Sequence, residues 1–265
     1  MIPKIIHYCW FGGKDKPSSF EYCLATWRKY LPDYEIKEWN ETNFNISESI
    51  EFVKEAYNQK KWAFVSDYVR IYALLNDGGI YMDTDVEVKN NLDEFLNDDF
   101  FIGLEKEGFV STALMGSIKN HPFLYQIIDY YKNNKFEIKT NNKIISSILI
   151  SKYAFDTCLN QKQVLRENIH IYPTTFFTLD LDKNFATHHF TNTWQESKEE
   201  NKYKNSLHIL YYLDELNKIP YAKRELNNMI NNQKIIDDNY LLDLIPLKNI
   251  LSYLKKKLIN KFFKF

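Results

Sequence analysis

The chain has 265 residues, 45% hydrophobic and 26% charged, a composition that suits a soluble globular protein with one large core. Its net charge of -1 excludes the basic field that nucleic-acid binding needs. Its three cysteines, Cys9, Cys23 and Cys158, are odd in number and lack metal-knuckle spacing; nothing in them suggests a disulfide framework, and a reducing cytosol is expected. The N-terminus lacks the long apolar stretch of a signal peptide, and no segment approaches the roughly 20 apolar residues that span a bilayer.

Lys4 to Trp10 reads as a buried strand closed by a turn at Phe11-Gly12-Gly13. Ser19 to Tyr30 has helical spacing, with Phe20, Cys23, Leu24 and Trp27 on one side. Leu31-Pro32-Asp33 breaks it, and Tyr34 to Trp39 alternates as a strand. Strand, helix and strand in quick succession predict a βαβ unit and a parallel sheet. Ser49 to Gln59 is a second helix. Lys61 to Asn76 is a third, apolar nearly all round and therefore predicted to be buried. Asp77-Gly78-Gly79 ends it, and Ile80 to Met82 is a short central strand with Asp83-Thr84-Asp85 at its carboxyl end. In open α/β sheets that edge is where ligands bind. Strands follow at Phe100 to Leu104 and Phe109 to Met115, a helix at Phe123 to Lys132, a helical stretch over Asn133 to Asn168, and a strand at Ile169 to Pro173. Ala186 to Trp194 is a compact segment carrying His188, His189 and Trp194, and polar helices begin near Leu207.

The chemistry concentrates in two places. Asp83 and Asp85 are two apart at a strand end, so their carboxylates share a face. Left alone they repel; a divalent cation relieves the conflict, and hard carboxylate ligands suit Mg²⁺ or Mn²⁺ with phosphate oxygens. In the third helix Ser66, Asp67 and Arg70 interrupt an apolar run. Asp67 and Arg70 are three apart and can pair, as a buried ion pair and as a polar wall for sugar hydroxyls. Only Arg28, Arg70, Arg166 and Arg224 are arginine among 34 basic residues, so an arginine here points to its planar fork of donors.

Three segments in order, Pro3-Lys4-Ile5-Ile6-His7-Tyr8-Cys9-Trp10-Phe11-Gly12-Gly13, Phe64-Val65-Ser66-Asp67-Tyr68-Val69-Arg70 and Gly78-Gly79-Ile80-Tyr81-Met82-Asp83-Thr84-Asp85, resemble the glycosyltransferases of family 32. That family is similar to the glucosyltransferase domains of bacterial toxins and to yeast-type α-1,6-mannosyltransferases. The resemblance covers Met1 to Ser117 clearly and Ala186 to Trp194 more weakly.

It implies an α/β fold of the GT-A type, a nucleotide-binding sandwich with a mostly parallel central sheet. Residues 1–215 would form the catalytic domain and 216–265 a helical C-terminal extension. It implies a retaining hexosyltransferase that uses a nucleotide-sugar, UDP-sugar favoured, and Mn²⁺ or Mg²⁺. Asp83, Asp85, Asp67 and Arg70 would be catalytic. The donor would lie against His7, Trp10, Trp39, Ser66, Asp67, Arg70, Tyr81, Asp83, Thr84, Asp85 and Trp194. Trp10 would stack on the base, Asp67 and Arg70 would hold the sugar, and Trp194 would belong to a closing loop. Asp85 would ligate the metal directly, Asp83 would contact ribose or a metal-bound water, and His188 or His189 would add a metal or phosphate contact. The segment Ser111 to Ser117 lacks the asparagine that relatives often carry. The resemblance favours front-face attack with the leaving phosphate as base; Glu105 is the candidate nucleophile for a two-step route.

Leu247 to Phe265 carries six lysines, no acidic residue and apolar residues at helical spacing. Such a tail suits an anionic membrane surface, or equally a helix docked on the core with its lysines in solvent. It would place the protein in the cytoplasm at the inner face of a bacterial membrane, with a glycan or lipid-linked oligosaccharide as acceptor. The alternatives are a metal-dependent nucleotidyltransferase or nucleotide-sugar hydrolase, and a non-catalytic sugar-binding module.

Overall fold

The computed structural model describes residues 1–191, 200–220 and 224. Trp194 and the lysine-rich tail at 247–265 lie outside them. The chain forms two compact units, Met1–Trp194 and Gln195–Phe265.

The first unit opens with β1 (Ile5–Cys9), α1 (Ser18–Tyr30) and β2 (Glu35–Trp39), the predicted βαβ unit. The helices α2 (Glu51–Asn58) and α3 (Trp62–Asp77) lead into β3 (Gly79–Met82) and β4 (Val86–Val88). After them come β5 (Phe100–Lys106), β6 (Phe109–Ser117), α4 (Pro122–Asn133), α5 (Asn141–Tyr153), β7 (Gln163–Leu165), β8 (Ile169–Tyr172), α6 (Thr174–Phe177) and β9 (Ala186–His188). The described part of the second unit is α7 (Glu200–Lys218), whose Lys218 pairs with Asp214 and Glu215 on its own face. Among the described residues no helix is long and apolar enough to cross a membrane.

Seven strands form one sheet in the order β2-β1-β3-β6-β5-β8-β7. The pairs β1–β2, β1–β3 and β5–β8 are parallel; β3–β6, β5–β6 and β7–β8 are antiparallel. Five strands therefore run one way and only β6 and β7 the other, which is the expected mostly parallel sheet.

Alternate side chains sort to opposite faces of this sheet. Tyr81, Phe100, Ile102 and Leu104 join the apolar cluster under α2, α3, α4 and α5. Ile80, Met82 and Phe101 join the cluster with Phe20, Leu24 and Trp27 of α1 and Phe177 of α6. The sheet is thus covered on both faces, which is what makes its central strands apolar throughout.

The double glycine before β3 has a steric cause. Gly79 has φ +102, and a Cβ there would sit 2.6 Å from the carbonyl oxygen of Ile5 and 3.0 Å from His7 Nε2. Gly78 caps α3 at φ +70, its N–H donating to Leu74 O at 2.9 Å. Only glycine lets the chain leave the buried α3 and enter β3 this close to β1.

Two predicted features are redrawn. The stretch 133–168 holds the end of α4, then α5 and the short β7, so it is only partly helical. The pair β4 and β9 has no counterpart in the sequence reading: it forms a separate antiparallel ribbon with Val86 opposite His188 and Val88 opposite Ala186. Three-residue strands are too short to leave a periodic signal.

Candidate active site

The carboxyl ends of β2, β1 and β3 lie on one edge because the three strands are parallel neighbours. The chain leaves β1 for β2 on one side and returns as β3 on the other, so the crevice at this edge is a topological switch point. A cleft of about 530 Å³ opens beyond β1 and β2, lined by Trp10, Gly13, Lys14, Lys16, Glu38 and Asn40 among others. Trp10 is half-buried; its indole N–H donates to Lys14 O at 2.7 Å and its ring lies parallel to Phe20 at 6.3 Å.

Beyond β3, Asp83 continues the face of Tyr81, whose hydroxyl donates to Asp83 Oδ1 at 2.8 Å. Arg70 comes down from α3 over the same face. Its guanidinium lies 4.5 Å from the Tyr81 ring centre and bridges Asp67 Oδ1 at 3.0 Å and Asp83 Oδ1 at 3.3 Å. It also donates to the carbonyls of Thr112 at 2.8 Å and Ser66 at 3.2 Å. The Arg70 side chain is only 6% exposed, so these partners are what make a buried cation tolerable. Lysine could not replace the fork.

Asp85 is reached by a turn, because β3 has ended: Val86 N–H donates back to Asp83 O at 3.1 Å, closing Asp83-Thr84-Asp85-Val86. The two carboxylates converge as expected, through this turn rather than through strand pleating. Asp85 Oδ1 faces His188 Nε2 at 3.3 Å, and its Oδ2 accepts from Thr191 N–H at 2.8 Å and Thr191 Oγ1 at 3.2 Å. His188 arrives on β9, whose pairing with β4 sets it beside the turn. One ligand atom each from Asp83, Asp85 and His188 lie within 4.8 Å of one another. Two carboxylates and an imidazole within that span fit a divalent cation, and the nitrogen ligand favours Mn²⁺ over Mg²⁺.

The charges are uneven. Burial raises the Asp67 carboxyl to about 6 against the pull of Arg70. Burial also raises Asp83, with Asp85 adding to it and Arg70 opposing. Asp85 is buried as well, yet His188 and the two Thr191 bonds hold it well below the usual carboxylate range. Its partner His188 is raised, since the attraction of Asp85 outweighs burial.

The structure separates the remaining predicted residues. His7 is fully buried. Trp39 N–H donates to its Nδ1 at 3.1 Å, so Nε2 carries the proton and donates to Gly78 O at 2.7 Å. His7 and Trp39 thus clamp β1, β2 and the α3–β3 turn together. Ser66 donates to Trp62 O within its own helix. Thr84 occupies the turn between the two carboxylates. His189 is turned away from His188 and pairs with Glu87 at 2.9 Å, which also accepts from Tyr22 at 2.8 Å.

Sequence reasoning passed over a chain of polar groups behind Arg70. Thr112 Oγ1 donates to Asn142 Oδ1 at 2.7 Å, and Asn142 Nδ2 donates to Glu105. An asparagine of α5 thus hydrogen-bonds the Ser111–Ser117 segment. Thr191 was also passed over, since nothing local distinguishes it.

Residues 17–102 match the model of the glycosyltransferase sugar-binding region containing the DXD motif. An inositol phosphoceramide mannosyltransferase of Schizosaccharomyces pombe is 29% identical over 130 residues, 48% of this chain and 36% of that protein. A glycosyltransferase of Acanthamoeba polyphaga mimivirus is 31% identical over 149 residues, 51% of this chain and 56% of that protein. The chain therefore matches between about a third and just over half of the length of these curated relatives. Among solved structures, the PaToxG glycosyltransferase aligns with a TM-score of 0.47 at 16% identity, over 57% of this chain and 70% of that one. Galactosyltransferase LgtC aligns with a TM-score of 0.43 at 9% identity, over 77% and 95%. The three sequence segments and the DXD turn at the carboxyl edge of the sheet agree with the first of these matches: residues 17–102 are similar to the sugar-binding region of DXD-motif glycosyltransferases.

Proposed function

We propose that the protein is a glycosyltransferase with a GT-A-type catalytic unit within residues 1–215. It moves a hexose from a nucleotide-sugar, UDP-sugar favoured, to a glycan or lipid-linked acceptor. The observation that carries this reading is the convergence of Asp83, Asp85 and His188 beside the Arg70–Asp67 pair, at the sheet edge where Trp10 opens a cleft. The mannosyl relatives put mannose among the hexoses to test.

Asp85 and His188 would hold a Mn²⁺ ion, with Asp83 between it and the donor ribose. When bound, the ion would supply Lewis-acid stabilisation of negative charge on the leaving diphosphate. Trp10 offers the donor base a ring to stack on. Arg70 and Asp67 present donors and acceptors to the sugar hydroxyls; both are held rigidly by α3, so they need no reorganisation during reaction. Configuration is retained by front-face attack. The bond from C1 to the phosphate oxygen breaks, the acceptor oxygen bonds C1 on the same face, and the acceptor proton passes to the departing phosphate.

In this reading the acceptor belongs to a bacterial surface polysaccharide such as a capsule. The lysine-rich segment 247–265 would bring the enzyme to the anionic inner face of the membrane.

The test is Mn²⁺-dependent turnover of a panel of UDP- and GDP-hexoses, with glycan and lipid-linked acceptors. Asp85→Ala is expected to cut turnover by about 10²–10³-fold, the scale of losing one preorganised charge-stabilising group. Hydrolysis without transfer to any acceptor would favour a hydrolase, and unchanged function in Asp85→Ala would favour a binding module.

A further inference from the structure

The two oxygens of the Asp85 carboxylate are treated differently. Oδ1 faces His188 Nε2, and Oδ2 is engaged twice by Thr191, through its N–H at 2.8 Å and its hydroxyl at 3.2 Å. The backbone is bent to make this contact. Phe190 has φ 56, a left-handed conformation that bulky side chains rarely adopt. Its ring packs at 3.9 Å from the ring of His188. One residue earlier, His189 N–H donates to the Asp85 carbonyl at 3.0 Å. The segment 188–191 therefore meets Asp85 at three places and spends an unfavourable conformation at Phe190 to reach the last.

We propose that Thr191 is a positioning residue for the metal site: by holding Oδ2 it presents Asp85 as a one-oxygen ligand through Oδ1, beside Asp83 and His188. This rests on the metal reading given under the proposed function. The two donors occupy Oδ2, so the carboxylate does not swing to chelate a cation with both oxygens. A cation with octahedral preference accepts single oxygens with less distortion than a narrow carboxylate bite. Outer hydrogen bonds of this kind orient a ligand and tune its affinity.

The experiment is a calorimetric titration of the full chain with Mn²⁺ alone, for wild type, Thr191→Val and Thr191→Ser, with thermal unfolding of each in EDTA. Valine keeps the shape and the backbone N–H and removes the hydroxyl. Thr191→Val is expected to bind Mn²⁺ about tenfold more weakly, the lower end of what such an outer bond contributes, and Thr191→Ser to restore wild-type affinity. The metal-free melting temperature of Thr191→Val is expected to match wild type. Unchanged or tighter Mn²⁺ binding by Thr191→Val overturns the proposal; tighter binding would mean that Thr191 competes with the cation. Equal weakening by valine and serine, or weakening accompanied by a lower metal-free melting temperature, also overturns it. A wild-type chain that binds no Mn²⁺ overturns the metal reading and this proposal together, whereas wild-type binding with an unaffected valine variant overturns this proposal alone.

Discussion

Arg70 and Asp83 lie 13 positions apart, and one helix, one glycine turn and one strand suffice to bring them together. Thr191 and Asp85 lie 106 positions apart, and their meeting depends on a ribbon of two three-residue strands. The first half of the site is rigid by local construction: α3 and β3 pack on the same core, and Arg70 is buried among four partners. The second half is held by few residues. Its order follows from β4–β9 pairing, the Glu87–His189 pair and the turn at Phe190. A site made this way can keep Asp67, Arg70 and Asp83 fixed while the meeting of Asp85 with His188 and Thr191 depends on the integrity of one short ribbon.

The comparison can be broken most strongly at Arg70. Arg70→Met leaves Asp67 and Asp83 buried without their cation, and is expected to destabilise the fold by about 3–5 kcal/mol in urea unfolding. A smaller loss would mean that the local half is not the rigid one. Gly79→Ala attacks the same half through the backbone, since its Cβ has no room beside Ile5 O at φ +102. The expected cost is on the order of 2 kcal/mol, read from the same unfolding curves. Glu87→Gln tests the long-range half: it weakens the contact with His189 and Tyr22, with an expected loss of about 1 kcal/mol. A loss as large as that of Arg70→Met would erase the distinction between the two halves.

The smallest effect concerns pH. Burial lowers the pKa of His7 below its ordinary 6.5, with the Gly78 carbonyl bond opposing. The unfolded chain therefore takes up the proton first. The contribution of His7 to stability is full above pH 6.5 and is lost as pH falls from there toward the folded value. The stability difference between wild type and His7→Gln should shrink over that range. A difference that is flat with pH would show that His7 titrates normally and is not sealed between Trp39 and Gly78.

The readable features share a cause. The apolar run of α3 broken by Ser66, Asp67 and Arg70, the double glycine, and the DXD after an apolar strand are all local patterns, and local geometry turns them into a site. The convergence of Asp83 and Asp85 was readable, but its means was not. Strand alternation suggested a shared face, while the structure ends β3 at Met82 and turns the chain. His7 sits within a segment that carries the resemblance and Trp39 within the stretch it covers, yet they face each other inside the protein, a fact that depends on the register of β1 against β2.

By itself the sequence determined the resemblance to DXD-motif glycosyltransferases, the βαβ start, the buried α3, the mostly parallel sheet and the Asp67, Arg70, Asp83 and Asp85 quartet, because each is written in contiguous residues with a period or a motif. Only the tertiary structure decided which of His188 and His189 faces Asp85, that Thr191 holds the other carboxylate oxygen, and that Asn142 and Glu105 stand behind Thr112. Those choices follow from pairing between distant short strands and from helix packing. Such contacts carry no spacing signal, because loop closure and side-chain packing, rather than local conformational preference, select them.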